Sequence, residues 1–286
     1  MNRILLTLII ITFSICARAQ EIPLAKPGLL VTPTRAILEG KNRSALISIA
    51  NNGNASGVYR IKIVNKTMNE SGQITKIEEG QEKPEDMVAS EFLRISPRRV
   101  SIPAGGYQNV RILARKPKDL AEGEYRSHLQ FIVVPEEIIT EREKKNAERD
   151  SNQDEDKTLT ISIKANFGVT IPIIVRHGNL SATASMNNLS LSKNEDTEHL
   201  NLTLHRDGDA SLYGDFEINY YNKNGSKYLL KSMGGLAVYT SVDKRDFNIP
   251  LDIPGGVKLQ GGYIEAIYRE KEKDGGKTLA SGKLNL

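Results

Sequence analysis

Residues 159–175 read LTISIKANFGVTIPIIV, the longest regular pattern in the chain. Leu159, Ile161, Ile163, Ala165, Phe167, Val169 and Ile171 alternate with Thr160, Ser162, Lys164, Asn166, Gly168 and Thr170 before the run closes on Ile173, Ile174 and Val175. A period of two is the signature of a β-strand with one apolar face. At about 3.3 Å per residue the run would extend roughly 55 Å, longer than one sandwich needs. It stops at Arg176-His177-Gly178, a change of composition that marks a domain boundary.

The same rhythm holds on both sides of this run. Residues 44–50, 58–64, 110–114, 129–134 and 200–204 are β-branched or alternating. Between such runs lie Asn52-Gly53, Gly105-Gly106, Asp207-Gly208, Asn224-Gly225, Gly255-Gly256 and Asp274-Gly275, pairs that supply the backbone angles of tight turns. No helical stretch of convincing length competes. The expected fold is all-β: two Ig-like β-sandwich domains, spanning residues 20–177 and 178–286. Residues 136–157 hold nine acidic and five basic side chains and almost nothing apolar, and are expected to form a solvated, mobile loop ahead of the strand 158–175.

Composition excludes more than it identifies. The chain of 286 residues is 39% apolar and 26% charged, enough to bury a core. Its formal charge of +4 is too small and too evenly mixed with acids for a nucleic-acid partner. A single cysteine excludes an internal disulfide and a cysteine-based metal or redox site, and the absence of tryptophan weakens a sugar-stacking reading. Four histidines, of which His199 and His205 share a strand face by spacing, are too few ligands for a metal centre. No nucleophile elbow, phosphate loop or zinc helix occurs, so neither enzyme activity nor a cofactor is expected.

Met1-Asn2-Arg3, the apolar run to Cys16 and Ala17-Arg18-Ala19 have the form of a signal peptide, residues 1–19, cleaved after Ala19. The run is too short to span a bilayer, and Ile15 before Cys16 is too bulky for lipid attachment, so no membrane anchor is expected after cleavage. Loss of Arg3 and Arg18 would lower the 39 basic residues to 37 against 35 acidic, a formal +2.

Several segments, taken in order, resemble the periplasmic chaperones of the chaperone–usher pilus assembly pathway. Residues 30–37 (LVTPTRAI) are similar to that family's first strand, and 44–51 (SALISIAN) to its second. Residues 92–99 (FLRISPRR), 102–105 (IPAG) and 107–111 (YQNVR) resemble its middle block, while 123–128 (GEYRSH) and Val134-Pro135 resemble the two ends of its sixth strand. The resemblance covers about residues 29–178.

It implies two sandwiches in an L shape and a periplasmic protein that binds and caps pilus or fimbrial subunits, then delivers them to an outer-membrane usher. Such a chaperone lends its seventh strand to an incomplete subunit, which makes Ile161, Ile163, Ala165 and Phe167 the donor residues. Arg35 matches the family's cleft arginine, whose planar fork suits the subunit's C-terminal carboxylate. A lysine usual near the end of the seventh strand is replaced by Pro172, leaving the anchor to Arg35 alone or with another cation such as Lys164. Glu124, Arg176 and Asp274 match an interdomain charge network. The competing reading is an exported Ig-like structural or adhesive pilus component, but residues 20–28 (QEIPLAKPG) hold two prolines and little of the alternation a subunit's own donor extension requires. A carbohydrate-binding or hydrolytic sandwich ranks behind both.

Overall fold

A computed structural model describes residues 26–134, 168–271 and 275–286. The proposed leader, the charged loop 136–157, the donor residues Ile161, Ile163, Ala165 and Phe167, and Asp274 lie outside the described residues.

The first sandwich begins with β1 (Leu30–Thr32) and β2 (Ala36–Leu38), followed by β3 (Ser44–Ala50) and β4 (Gly57–Val64). A small hairpin, β5 (Lys66–Met68) and β6 (Ile74–Lys76), precedes β7 (Leu93–Ser96), β8 (Arg99–Ile102), β9 (Tyr107–Ala114), β10 (Gly123–Val134) and β11 (Gly168–His177). One sheet has the order β1-β3-β9-β7 and the other β2-β11-β10-β4-β8. The segment read as a single first strand therefore divides: β1 joins one sheet, the chain turns at Pro33, and β2 joins the other.

Alternation explains why these segments pair as they do. Val110, Ile112 and Ala114 of β9 and Ile47 and Ile49 of β3 are buried, and meet Leu129, Phe131, Ile171 and Ile173 across the sandwich in one core. Each such side chain contributes on the order of 1.5–3 kcal/mol when withdrawn from water. β11 runs antiparallel to β10 from Gly168, opposite Ile132, to His177, opposite Gly123. On its other side β2 pairs in parallel only with residues 173–175. Among the described residues, the stretch 168–172 therefore has a strand on one side only, and Pro172 falls on this open edge, where a missing N–H is tolerated.

The second sandwich comprises β12 (Ala182–Asn194), β13 (Thr197–Gly208), β14 (Leu212–Tyr221), β15 (Lys227–Val238), β16 (Lys244–Pro250), β17 (Tyr263–Arg269) and β18 (Thr278–Asn285). Its sheets are β12-β13-β16 and β15-β14-β17-β18. Leu200, Leu202, Leu204, Phe216, Ile218 and Tyr268 fill its centre, where the Phe216 ring meets Phe247 edge-on at 5.0 Å. The all-β expectation holds: the sole helical element among the described residues is a 3-10 turn at Pro84–Asp86.

Asn51, the last residue of the SALISIAN segment, fastens the start of the first sandwich. Its Oδ1 accepts from Gly28 N at 2.8 Å and Gly53 N at 3.1 Å, and its Nδ2 donates to Ala55 O at 2.7 Å and Ile102 O at 3.0 Å. Glycine is required on both sides of this lock, because a Cβ at Gly53 would lie 2.3 Å from Gly28 N. Asn51→Ala leaves four backbone groups unpaired around a residue only 1% exposed. The expected loss is about 2–4 kcal/mol of unfolding free energy, read from urea denaturation. A loss under about 1 kcal/mol would show that the lock does not hold the chain start.

Candidate functional site

β10 carries Gly123-Glu124-Tyr125-Arg126-Ser127-His128, and strand alternation sends Tyr125 and Ser127 into the core of the first sandwich. Glu124, Arg126 and His128 must then face outward. Yet they are only 2%, 5% and 4% exposed, because the second sandwich and the β5–β6 hairpin close over them. The register sets Glu124 beside Arg176, Arg126 beside Ile174 and His128 beside Pro172. Ile174 is in turn beside Ile37 of β2, so continuing that register by one residue places Arg35 alongside Pro172.

Glu124 is the hub. Its Oε2 accepts from Arg176 Nε, from Ser211 N and from Ser211 Oγ, each at 3.0 Å. The carboxylate thus ties β10 and β11 to the start of β14 in the other sandwich. Arg176 also approaches Glu39 at 3.5 Å, and Lys116 donates to its carbonyl oxygen. Of the three residues matched to an interdomain charge network, Glu124 and Arg176 are in contact. Ser211, which carries no sequence mark of its role, supplies the contact to the second sandwich.

Arg35 lies against the same junction. Its Nη2 donates to Ser211 Oγ at 3.2 Å, and its guanidinium carbon sits 4.2 Å from the centre of the Tyr213 ring. Burial lowers its pKa, against the opposing pull of Tyr239 and Glu124. Arg126 repeats the pattern deeper in the junction: it stacks 3.8 Å from the Tyr239 ring and donates through Nη2 to Lys66 O at 3.2 Å. Burial above all holds it down to about 10. Sequence reading missed Arg126, Tyr213 and Tyr239, since a tyrosine in an alternating strand gives no sign that an arginine from elsewhere will stack on it.

Among the described residues, nine buried side-chain nitrogen or oxygen atoms have no hydrogen-bond partner, and six of them belong to Arg35, Glu124, Arg126 and His128. They include Nε and Nη1 of both arginines. Unpaired buried donors cost roughly 1–3 kcal/mol each, so such a concentration calls for a physical reason. A recess of about 320 Å³ opens beside them, lined by Arg35, Arg176, Ser181, Ser211, Tyr213 and Glu270 among others. Its lining holds two guanidinium groups, Arg35 and Arg176, and one carboxylate, Glu270, while a second carboxylate, Glu124, bonds Arg176.

His128 is pushed down to about 3, by burial first and then by Arg126 and Lys66. Between its ordinary value of 6.5 and about 3 the unfolded chain takes up a proton that the folded chain refuses. Stability must therefore fall as the pH drops through that window, by up to ~1.4 kcal/mol per pH unit, and be unaffected by this group above it. Urea unfolding of wild type and His128→Gln at about pH 7, above the window, and at about pH 5.5 and 4, within it, is expected to show a shallower acid loss in the variant. Parallel losses would remove His128 as the cause.

No family model matches the chain, and no curated protein matches it. Solved structures do. A chaperone–tip adhesin complex of CFA/I fimbriae biogenesis matches at 14% identity and TM-score 0.44, over 90% of this chain and 98% of that one. The CsuC–CsuE chaperone–tip adhesion subunit pre-assembly complex from archaic chaperone–usher Csu pili of Acinetobacter baumannii matches at 11% and 0.46, over 90% and 96%. The periplasmic chaperone SfaE matches at 13% and 0.42, over 91% and 100%.

Proposed function

We propose that this chain is a periplasmic chaperone of the chaperone–usher type, which holds pilus or fimbrial subunits against β2 and β11 and passes them to an outer-membrane usher. The observation that carries this reading is Arg35, a desolvated arginine with two unpaired donors beside an open recess. The ordered motifs of residues 29–178 support it, and so does the half-open edge of β11.

In this reading the subunit's C-terminal carboxylate enters the recess and accepts from Arg35. A planar guanidinium offers two parallel N–H donors to one carboxylate, a charge-assisted pair stronger than neutral hydrogen bonds. Tyr213 holds the fork in place before the ligand arrives, so little freedom is lost on binding. With Pro172 at the position of the family's lysine, the second cation of the recess is Arg176, part of whose charge is answered by Glu124. Glu124 and Arg176, with Asp274, keep the two sandwiches in one relative orientation and so preserve the recess.

Ile161, Ile163, Ala165 and Phe167 supply the lent strand. They share odd parity with Ile171 and Ile173, and the edge of β11 at residues 168–172 is where a subunit strand would add. Burying each large donor side chain contributes roughly 1.5–3 kcal/mol gross, part of it lost to ordering. The leader directs the chain to the periplasm and is removed after Ala19.

Co-purification from cells co-expressing the pilin-like products of neighbouring genes tests the reading. Arg35→Ala is expected to lower capture by about tenfold or more, the worth of a charge-assisted pair, and Ile163→Asp to abolish it. Because Arg35 also touches the second sandwich, thermal unfolding of each variant is measured alongside; Ile163→Asp is expected to leave it unchanged. Undiminished capture by both variants would overturn the assignment.

A further inference from the structure

The two outward faces of the second sandwich differ in chemistry. On β14, β17 and β18 the outward side chains are long and charged: Glu217 meets Lys227 at 3.0 Å and Arg269 at 3.5 Å, and Lys283 meets Glu265 at 3.5 Å. The opposite face, across β12, β13 and β16, carries mainly short uncharged side chains, with Asp207, Lys244 and Asp246 as its charged members. Leu200, Leu202 and Leu204 of β13 point into the core, which turns His199, Asn201, Thr203 and His205 outward. Register sets Ser192 beside His199, Ser190 beside Asn201, and Asn201 beside Asn248.

These side chains are already bonded into a ladder. Asn201 Nδ2 donates to Ser192 Oγ at 2.9 Å, Asn248 Nδ2 donates to Asn201 Oδ1 at 2.6 Å, and His199 Nδ1 lies 2.7 Å from Asn248 Oδ1. Thr203 Oγ1 donates to Asp246 at 2.7 Å and faces Asn188 Nδ2 at 3.3 Å. A second observation is independent of the ladder. The register of β12 slips between Asn187 and Ser190, and Asn188 stands there at φ 56. Met186 and Leu189 still pack on the core, so two asparagines face outward in succession. A bulge of this kind re-aims a side chain, and asparagine tolerates the left-handed backbone better than most residues.

Asn188, Asn201, Thr203, Asp246 and Asn248 line a groove of about 540 Å³ whose further wall includes Ser71 of the β5–β6 hairpin. The hairpin is held there by Asp246 N donating to Glu70 O at 2.8 Å and by Lys244 meeting Glu70 at 3.2 Å. The volume falls within the roughly 300–1,000 Å³ of small-ligand sites.

We propose that this groove binds a neutral oligosaccharide. A sugar chain presents rows of hydroxyls, each donor and acceptor at once, and Asn, Ser, Thr and His are the side chains that answer both roles. The single charge in the lining is Asp246, which accepts from hydroxyls and repels anions, so the complementary ligand is uncharged and rich in donors. Side chains fixed by mutual bonds lose little freedom on binding. Recognition here proceeds by hydrogen bonding along the groove, and tryptophan stacking is not needed. The site is separate from the cleft of the proposed chaperone function and stands or falls without it.

The test is a titration of the full isotope-labelled chain with maltotriose, cellotriose and chitotriose, following the side-chain amide resonances of Asn188, Asn201 and Asn248. At least one of the three is expected to shift these resonances saturably, with affinity weakened about tenfold or more in Asn201→Ala and in Asn248→Ala. Glu217→Gln, on the opposite face, should bind like wild type. No shift with any saccharide up to about 10 mM, shifts confined to other residues, or undiminished binding in both asparagine variants would each overturn the proposal.

Discussion

A β-strand can bury only one of its faces in its own sandwich, and on β10 and β11 the other face carries charge. Glu124, Arg126 and His128 are nevertheless buried, and this is possible only because a second sandwich answers them. A buried carboxylate left without partners costs several kcal/mol. Glu124 avoids that cost through one oxygen that takes bonds from Arg176 in its own sandwich and from Ser211 in the other. Separating the sandwiches would remove two of these three bonds and expose the faces of Tyr213 and Tyr239 on which Arg35 and Arg126 rest. The hairpin adds a clasp on the far side, where Met68 bonds Ser241 through both N and O, each at 3.3 Å. The relative placement of the sandwiches and the shape of the recess are therefore one problem with one solution.

The solution is unbalanced in charge. Arg35, Arg126 and Arg176 crowd a junction whose fully buried carboxylate is Glu124, and the half-exposed Glu39 offsets only Arg176. A fold selected for stability alone would neutralise or remove such groups, because unpaired buried donors weigh against the native state. Of the two arginines with unpaired donors only Arg35 lines the open recess, so the proposed carboxylate ligand accounts for Arg35 alone. The same logic separates Arg35 from Arg126: the first lines the recess, while the second, beside Met68 and Tyr239, fastens the junction.

Much of the fold was legible in the sequence, because alternation and Gly-containing turns are local signals. The turn at Gly105-Gly106 and the one at Asn224-Gly225 fall between strands, with Gly105 at φ 72 and Gly225 at φ 80. Arg35, Glu124 and Arg176 were legible through motif order, and the structure places all three at one junction. What alternation could not reveal is that an outward face is covered from far away in the chain. It assigns Arg126 and His128 to the outside correctly and, by the same rule, to water wrongly. Tyr213, Ser211 and Tyr239 carry no local mark of their role, and the hairpin at 66–76 acquires its function only from what it touches. The polar face of β12, β13 and β16 was hidden for a related reason. Serines and asparagines at alternate positions read as an ordinary solvated surface until register aligns them across three strands.

Residues 159–175 show the limit most sharply. Ile171 and Ile173 are buried in their own core, and Ile161, Ile163, Ala165 and Phe167 have the same parity, so periodicity alone cannot separate a core strand from a lent one. The distinction depends on how far the neighbouring strands reach. β2 stops covering β11 at Ile173, and the pairing with β10 is described as far as Gly168. At that point a Cβ would lie 2.4 Å from Phe131 O, so Gly168 is fixed by the closeness of the two backbones and leaves a gap in the side-chain row. In the sequence the alternation runs from that glycine back to Leu159. On the proposed reading, length relative to the sheet, rather than alternation, is what would make this strand available to another protein.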